Sequence, residues 1–104
     1  MTVTREHLPN RRPNKSFTFE VAGLTYTAAV SWFADGRIGE LFLNNHKTNS
    51  AADMNARDAA ITFSIAVQHG ADAETIRKAL SRDSAGNATG VLGAATDLVT
   101  RGSP

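Results

Sequence analysis

Ile38-Gly39-Glu40-Leu41-Phe42-Leu43-Asn44-Asn45-His46-Lys47-Thr48-Asn49-Ser50 is the segment on which the fold turns, because the hydrophobic period changes across it. Residues 38–43 have the apolar content of a short strand. Residues 44–50 are seven polar residues in a row, three of them Asn, whose side chains bond to nearby backbone and tolerate left-handed geometry. That is a loop. Beyond it, Ala52, Ala56, Ala59, Phe63 and Ala66 recur at intervals of four, three, four and three, which predicts a helix, and Gly70 supplies its C′ residue. Ile61, Ile65 and Val67 flank that stripe, so the second half of the helix is apolar nearly all round and needs cover on more than one side.

Upstream the period is two. Phe17, Phe19 and Val21 alternate with Thr18 and Glu20 in a first strand, and Ala22-Gly23-Leu24 turns the chain. Tyr26, Ala28, Val30 and Trp32 then share one face of a second strand, opposite Thr25, Thr27 and Ser31. Asp35-Gly36 predicts a tight hairpin turn into the third strand. Downstream, Asp72 can cap a second helix whose buried stripe is Ile76, Ala79 and Leu80, residues 81–90 read as a turn, and a third helix or helical turn from about residue 92 to 100 buries Leu92, Ala95, Leu98 and Val99. Strands first and helices second give an α+β fold: an antiparallel three-stranded meander followed by two or three helices packed on one face.

The 104 residues have room for one domain, here residues 16–100, between a basic, Pro-containing arm at 1–15 and a frayed end at 101–104. The arm sets Arg5, Arg11, Arg12 and Lys15 against Glu6, and with Pro9 and Pro13 it is expected to be extended, either as a solvated leader pinned to the domain edge or as a basic arm that tracks phosphates. Formal net charge is only +1, so no whole-molecule field draws in nucleic acid. With no cysteine, thiol chemistry and Cys-ligated metal are excluded. No apolar run suits a spanning helix or a secretory signal, and the expected location is cytoplasmic. A three-stranded sheet under one greasy helix offers little interior, so a homodimer is expected, through the sheet edge or through residues 59–67.

No triad, paired His spacing or phosphate loop is present, so no catalytic residue, metal or cofactor is assigned. His69 precedes the helix-ending Gly70 and reads as a cap. Asp53, Arg57 and Asp58 read as a solvated helix face. The candidate ligand-binding residues are Asn44, Asn45, His46, Lys47 and Ser50, at a strand-to-helix junction where helical N–H groups and a lysine suit an anion. Ser50 or Asp53 could instead satisfy those donors as an N-cap. Arg82 either approaches the same anion or caps the second helix.

Residues 41–50, then 59–71, then 74–80, resemble the TSCPD domain, which occurs at the C-terminal end of vitamin-B12-dependent ribonucleotide reductases and as small stand-alone bacterial and phage proteins. The family's junction pattern is roughly phenylalanine, aliphatic, Asn, x, Gly, Lys, x, Gly, Ser. Asn44, Lys47 and Ser50 fit it, whereas His46 and Asn49 replace glycines, and Arg12-Pro13 is similar to the family's entry segment. The Cys, Pro and Asp of the family's naming signature, which should fall near residues 89–93, are absent. The resemblance implies a meander followed by helices and a loose association with nucleotide metabolism, without reductase chemistry. Three roles follow: an accessory module binding a nucleotide or other anionic small molecule, an interaction domain for reductase-type partners, and a phage-type sponge for a nucleotide immune signal.

Overall fold

The protein is described by a computed structural model covering residues 4–101. Residues 1–3 of the arm and residues 102–104 of the expected frayed end lie outside the described residues. The chain runs β1 (Asn14–Val21), β2 (Leu24–Trp32), β3 (Ile38–Asn45), α1 (Ala51–Gln68), α2 (Ala73–Ala79) and α3 (Val91–Arg101). The strands form one antiparallel sheet in the order β1-β2-β3, so the α+β meander with trailing helices is the observed architecture.

The tight turn lies at the first hairpin. Val21 pairs with Leu24 around Ala22 and Gly23, whose φ values of 53° and 80° give the two positive-φ positions of a turn matched to strand twist. At Asp35-Gly36 the connection is wider than expected. Phe33 N donates to Arg37 O, only Gly36 has positive φ there, and the ladder shifts register between Ser31 and Trp32. The Asp35 carboxylate accepts from Arg37 N, which stabilises a broader loop.

One sheet face supplies Phe19, Tyr26, Ala28, Val30, Trp32, Leu41 and Leu43 to the core. Ala56, Ala60, Phe63 and Val67 of α1 and Ala95 and Val99 of α3 cover them. Thr18, Glu20, Phe42 and Asn44, at alternate positions of β1 and β3, are exposed on the other face. The helices therefore pack on one side only, as the period-two alternation requires.

The buried stripe of α1 is rotated from the one the alanine spacing predicts. Asp53, Ala56, Ala60, Phe63, Ser64, Val67 and Gln68 are inside, whereas Ala52, Ala59 and Ala66 are only half-buried. The three polar members of that stripe have partners on β3, which offset the cost of burying them. Ile61 and Ile65 remain exposed beside Met54, so part of the greasy face lacks cover among the described residues. The C-terminus of α1 closes as expected, with Gly70 at φ 101° and Ala71 N donating to Ala66 O.

Asp72 caps α2 by accepting from Thr75 N, and no α2 residue is buried. Of the expected buried stripe, Ile76 and Leu80 are half-buried and Ala79 is exposed, because a two-turn helix at the rim turns only one edge to the core. Ala73 and Ile76 pack against the core, and ion pairs add to the hold. Arg77 pairs with Glu74 and Asp97, and Arg82 also pairs with Asp97. In α3, Thr96 is buried with its hydroxyl on Leu92 O, whereas Leu98, expected inside, is 38% exposed. Helix phase puts Ala95 and Val99 inward and leaves Leu98 at the rim.

The described part of the arm is held against the domain edge. Pro13 O accepts from Trp32 N, Arg12 pairs with Glu40 at 3.1 Å, and Leu8 sits over Gly39. A Cβ at Gly39 would stand 2.6 Å from Leu8 Cδ2, so any larger residue here would make the Leu8 side chain shift. Farther out, Glu6 N donates to Gln68 O and Arg5 Nε to Gln68 Oε1. Two of the four basic groups in the arm are thus engaged by the domain.

Candidate functional site

The junction between β3 and α1 is built around a buried carboxylate. The strand ladder carries through Asn44 and Asn45, which pair with Thr27 and Tyr26, so these two residues belong to β3 and not to the loop. Alternation then separates them. Asn44 is exposed on the open sheet face, and Asn45 is buried with 6% exposure.

Asn45 is a strut. Its N–H donates to Asp53 Oδ1 at 2.9 Å, and its Oδ1 accepts from Lys47 N at 2.8 Å, which forms a local turn. Its Nδ2 is buried without a partner. His46 is exposed, its N–H extends the sheet to Thr25 O, and its Nε2 is hydrogen bonded to Thr27 Oγ1 at 2.9 Å. The Lys47 side chain is exposed, and Lys47 O accepts from Ser50 N and Ser50 Oγ. Asn49 takes φ 63°, which turns the chain into the helix.

Ser50 is the N-cap. Its Oγ accepts from Asp53 N at 3.1 Å. Asp53, at the third helical position, reaches back with both oxygens, Oδ1 to Asn45 N and Oδ2 to Asn49 N at 3.0 Å. The chain's own carboxylate therefore occupies the positive end of α1. Asp53 is 2% exposed, so its reading as part of a solvated face is corrected; Arg57, exposed, approaches it at only 3.9 Å. The N–H groups of Asn49 and then Asn45 hold its carboxyl below the usual range, against the opposing effect of burial.

Residues 44–50 therefore come together, but as a capped junction with an exposed rim of Asn44, His46 and Lys47. Arg82 does not join them. It donates to Asp97, Gly86 O and, at 3.1 Å, Arg77 O near the end of α2, so it takes the capping role. Arg82 first, with Arg77, holds the Asp97 carboxyl far below its ordinary range.

Sequence reasoning missed Ser64 and Gln68. Ser64 Oγ accepts from Leu41 N at 2.8 Å and donates to Leu41 O at 3.0 Å, and Gln68 Nε2 donates to Gly39 O at 2.7 Å. With Asp53 they line the buried stripe at helical spacing and face the outer backbone groups of β3. A polar residue in phase with Ala60 and Val67 was the available signal.

A cavity of about 370 Å³ at the other end of the sheet is lined in part by Trp32, Arg37, Asp72 and Glu74. Its polar groups are already committed: Arg37 to Asp35 and Glu6, Asp72 to Thr75, Glu74 to Arg77. Among the described residues no group of three or more His or carboxylate side chains could hold a metal ion. No described helix is long and apolar enough to cross a membrane.

No family model matches the chain. No solved structure matches it either. It is similar to a vitamin B12-dependent ribonucleotide reductase of Agrobacterium fabrum (strain C58 / ATCC 33970), 37% identical over 70 residues, or 67% of this chain. The chain spans 6% of the length of that relative, and what it shares is a relationship to one segment of the reductase.

Proposed function

We propose that the chain is a non-enzymatic accessory module of the TSCPD type that works by docking to a reductase-type protein partner. The observation that carries this reading is Asp53. A carboxylate that already accepts from Asn45 N and Asn49 N fills the position an anionic ligand would take, which argues for a structural junction. The matched 70 residues, a small fraction of the reductase, support a module without the reductase's own chemistry. Asn49 at φ 63° adds support, because it stands where the TSCPD pattern has a glycine and takes the backbone conformation that favours one.

A second reading keeps a nucleotide or other anion at the exposed rim. It is favoured by His46, held at 2.9 Å on Thr27 beside exposed Asn44 and Lys47. Two measurements separate the readings. Titration of the purified chain into a vitamin B12-dependent reductase lacking its own matching segment should give saturable binding, with no melting shift from a panel of mono-, di- and cyclic nucleotides. A nucleotide that raises Tm by mass action, with the gain lost in Lys47→Ala, overturns the docking reading in favour of the rim.

A further inference from the structure

The two edges of the sheet are treated in opposite ways. In an antiparallel ladder alternate residues direct N–H and C=O toward the neighbour, and those between direct them away. With Val21 and Leu24 closing the first hairpin, the outward groups of β1 belong to Asn14, Ser16, Thr18 and Glu20; those of β3 belong to Gly39, Leu41, Leu43 and Asn45. On β3, Asp53, Ser64 and Gln68 bond to Asn45, Leu41 and Gly39. The arm adds to this cover, because it leaves β1 at Pro13 and crosses toward Glu40, Gly39 and Gln68. Among the described residues, no segment lies along the outer edge of β1.

We infer that the outer edge of β1 is a self-association surface on which a second copy of this chain adds its own β1 antiparallel, making one continuous six-stranded sheet across a two-fold axis. Such an edge contact is self-complementary, because the same residues meet on both sides. The charge pattern selects the direction. Lys15 stands near one end of β1 and Glu20 near the other. Parallel pairing would place Lys15 beside Lys15 and Glu20 beside Glu20, whereas antiparallel pairing centred on Phe17 separates the like charges, setting Lys15 opposite the partner strand's Phe19 on the helix-covered face and Glu20 opposite its Asn14 on the open face.

The same register sets Ser16 opposite Thr18 through their outward backbone groups and Phe17 opposite its own copy. Phe17 is only half-buried, and it borders a cavity of about 280 Å³ shared with Leu98 and Trp32 on the helix-covered face. A second Phe17 would cover that cavity and the exposed rim of Leu98. The stripe of Met54, Ile61 and Ile65 on α1 offers apolar area, but nothing about it selects an occupant.

Sedimentation equilibrium across a concentration series tests this without any partner or nucleotide, so its outcome is separable from the docking reading above. The wild-type chain should dimerise reversibly. Thr18→Pro removes an outward N–H and leaves the β1–β2 ladder intact, so it should be monomeric where the wild type is dimeric while keeping its circular dichroism. Should Thr18→Pro not fold, the pair set opposite across the seam carries the test: Ser16→Lys with Thr18→Lys should weaken dimerisation several-fold by placing like charges face to face, and Ser16→Lys with Thr18→Glu should restore it. A wild-type chain that stays monomeric up to about 1 mM overturns the inference. So does a dimer that survives Thr18→Pro but is lost in Ile61→Glu, since that places the contact on α1.

Discussion

The β3 edge and the β1 edge belong to the same small sheet, yet one is closed by side chains and the other is left to its own backbone. On β3 a helix lies along the strand and answers outward groups of Asn45, Leu41 and Gly39 with a carboxylate, a hydroxyl and an amide. On β1 the helix-covered face packs against α3, but among the described residues no strand pairs with the outward N–H and C=O groups. An unpaired strand edge templates further pairing unless charge, proline or cover blocks it. What the contrast teaches is that burying polar side chains in α1 is the device that stops pairing at β3. Its absence at β1 marks where pairing can continue.

Removing Phe63, at 2% exposure the large α1 side chain in the core, should loosen the whole seal. Phe63→Ala is expected to cost about 3–5 kcal/mol, measured by urea denaturation. An effect below 1 kcal/mol would mean that packing of α1 does not hold the β3 edge shut. Ser64→Ala comes next, at about 2 kcal/mol or more, because it strands Leu41 N and Leu41 O beneath the helix where water does not replace the hydroxyl. Hydrogen exchange at the Leu41 amide should accelerate in this variant while the amides of β1 are unchanged. Equal acceleration on both strands would remove the distinction between the edges.

Acid probes the same seal more gently. The Asp53 carboxyl is held below its ordinary range in the folded protein, by Asn49 N first and Asn45 N second. Its contribution to stability is therefore fully present above the ordinary carboxylate range and is lost as pH falls through the depressed value. Asp53→Asn should lower Tm at neutral pH and flatten its decline with acid. A decline as steep as the wild type's would assign the acid sensitivity elsewhere, with Asp97 the next candidate because Arg82 and Arg77 depress it as well.

The smallest effect is stabilising and touches only the open-edge hairpin. Ala22 is held at φ 53°, a conformation that disfavours a β-carbon without a local bonding side chain. Ala22→Asn should raise stability by about 0.5–1 kcal/mol through the preferred turn pair, with exchange at β3 unaltered. A loss of stability instead would mean that the turn is set by contacts other than its own backbone preference.

The sequence by itself determined the order and type of the three strands and the first two helices, and left the third helix open. A period of two through residues 17–32, the polar run after Leu43 and the helical spacing from Ala52 are local signals, each expressed within a few residues of chain. It also determined the caps at Asp72 and Gly70, since the side chain or φ that ends a helix acts on its immediate neighbours, but it left the α1 cap open between Ser50 and Asp53. The tertiary structure decided which face of α1 turned inward and what its polar residues did there. Ser64 meets Leu41 across 23 residues and Gln68 meets Gly39 across 29, distances at which no period or propensity names a partner. Read along the chain, Asp53 is a charge on a helix and Asn45 a polar loop residue. Only the docking of α1 against β3 makes the first a buried acceptor and the second a strut, because the groups they satisfy are backbone donors that exist once strand and helix have met.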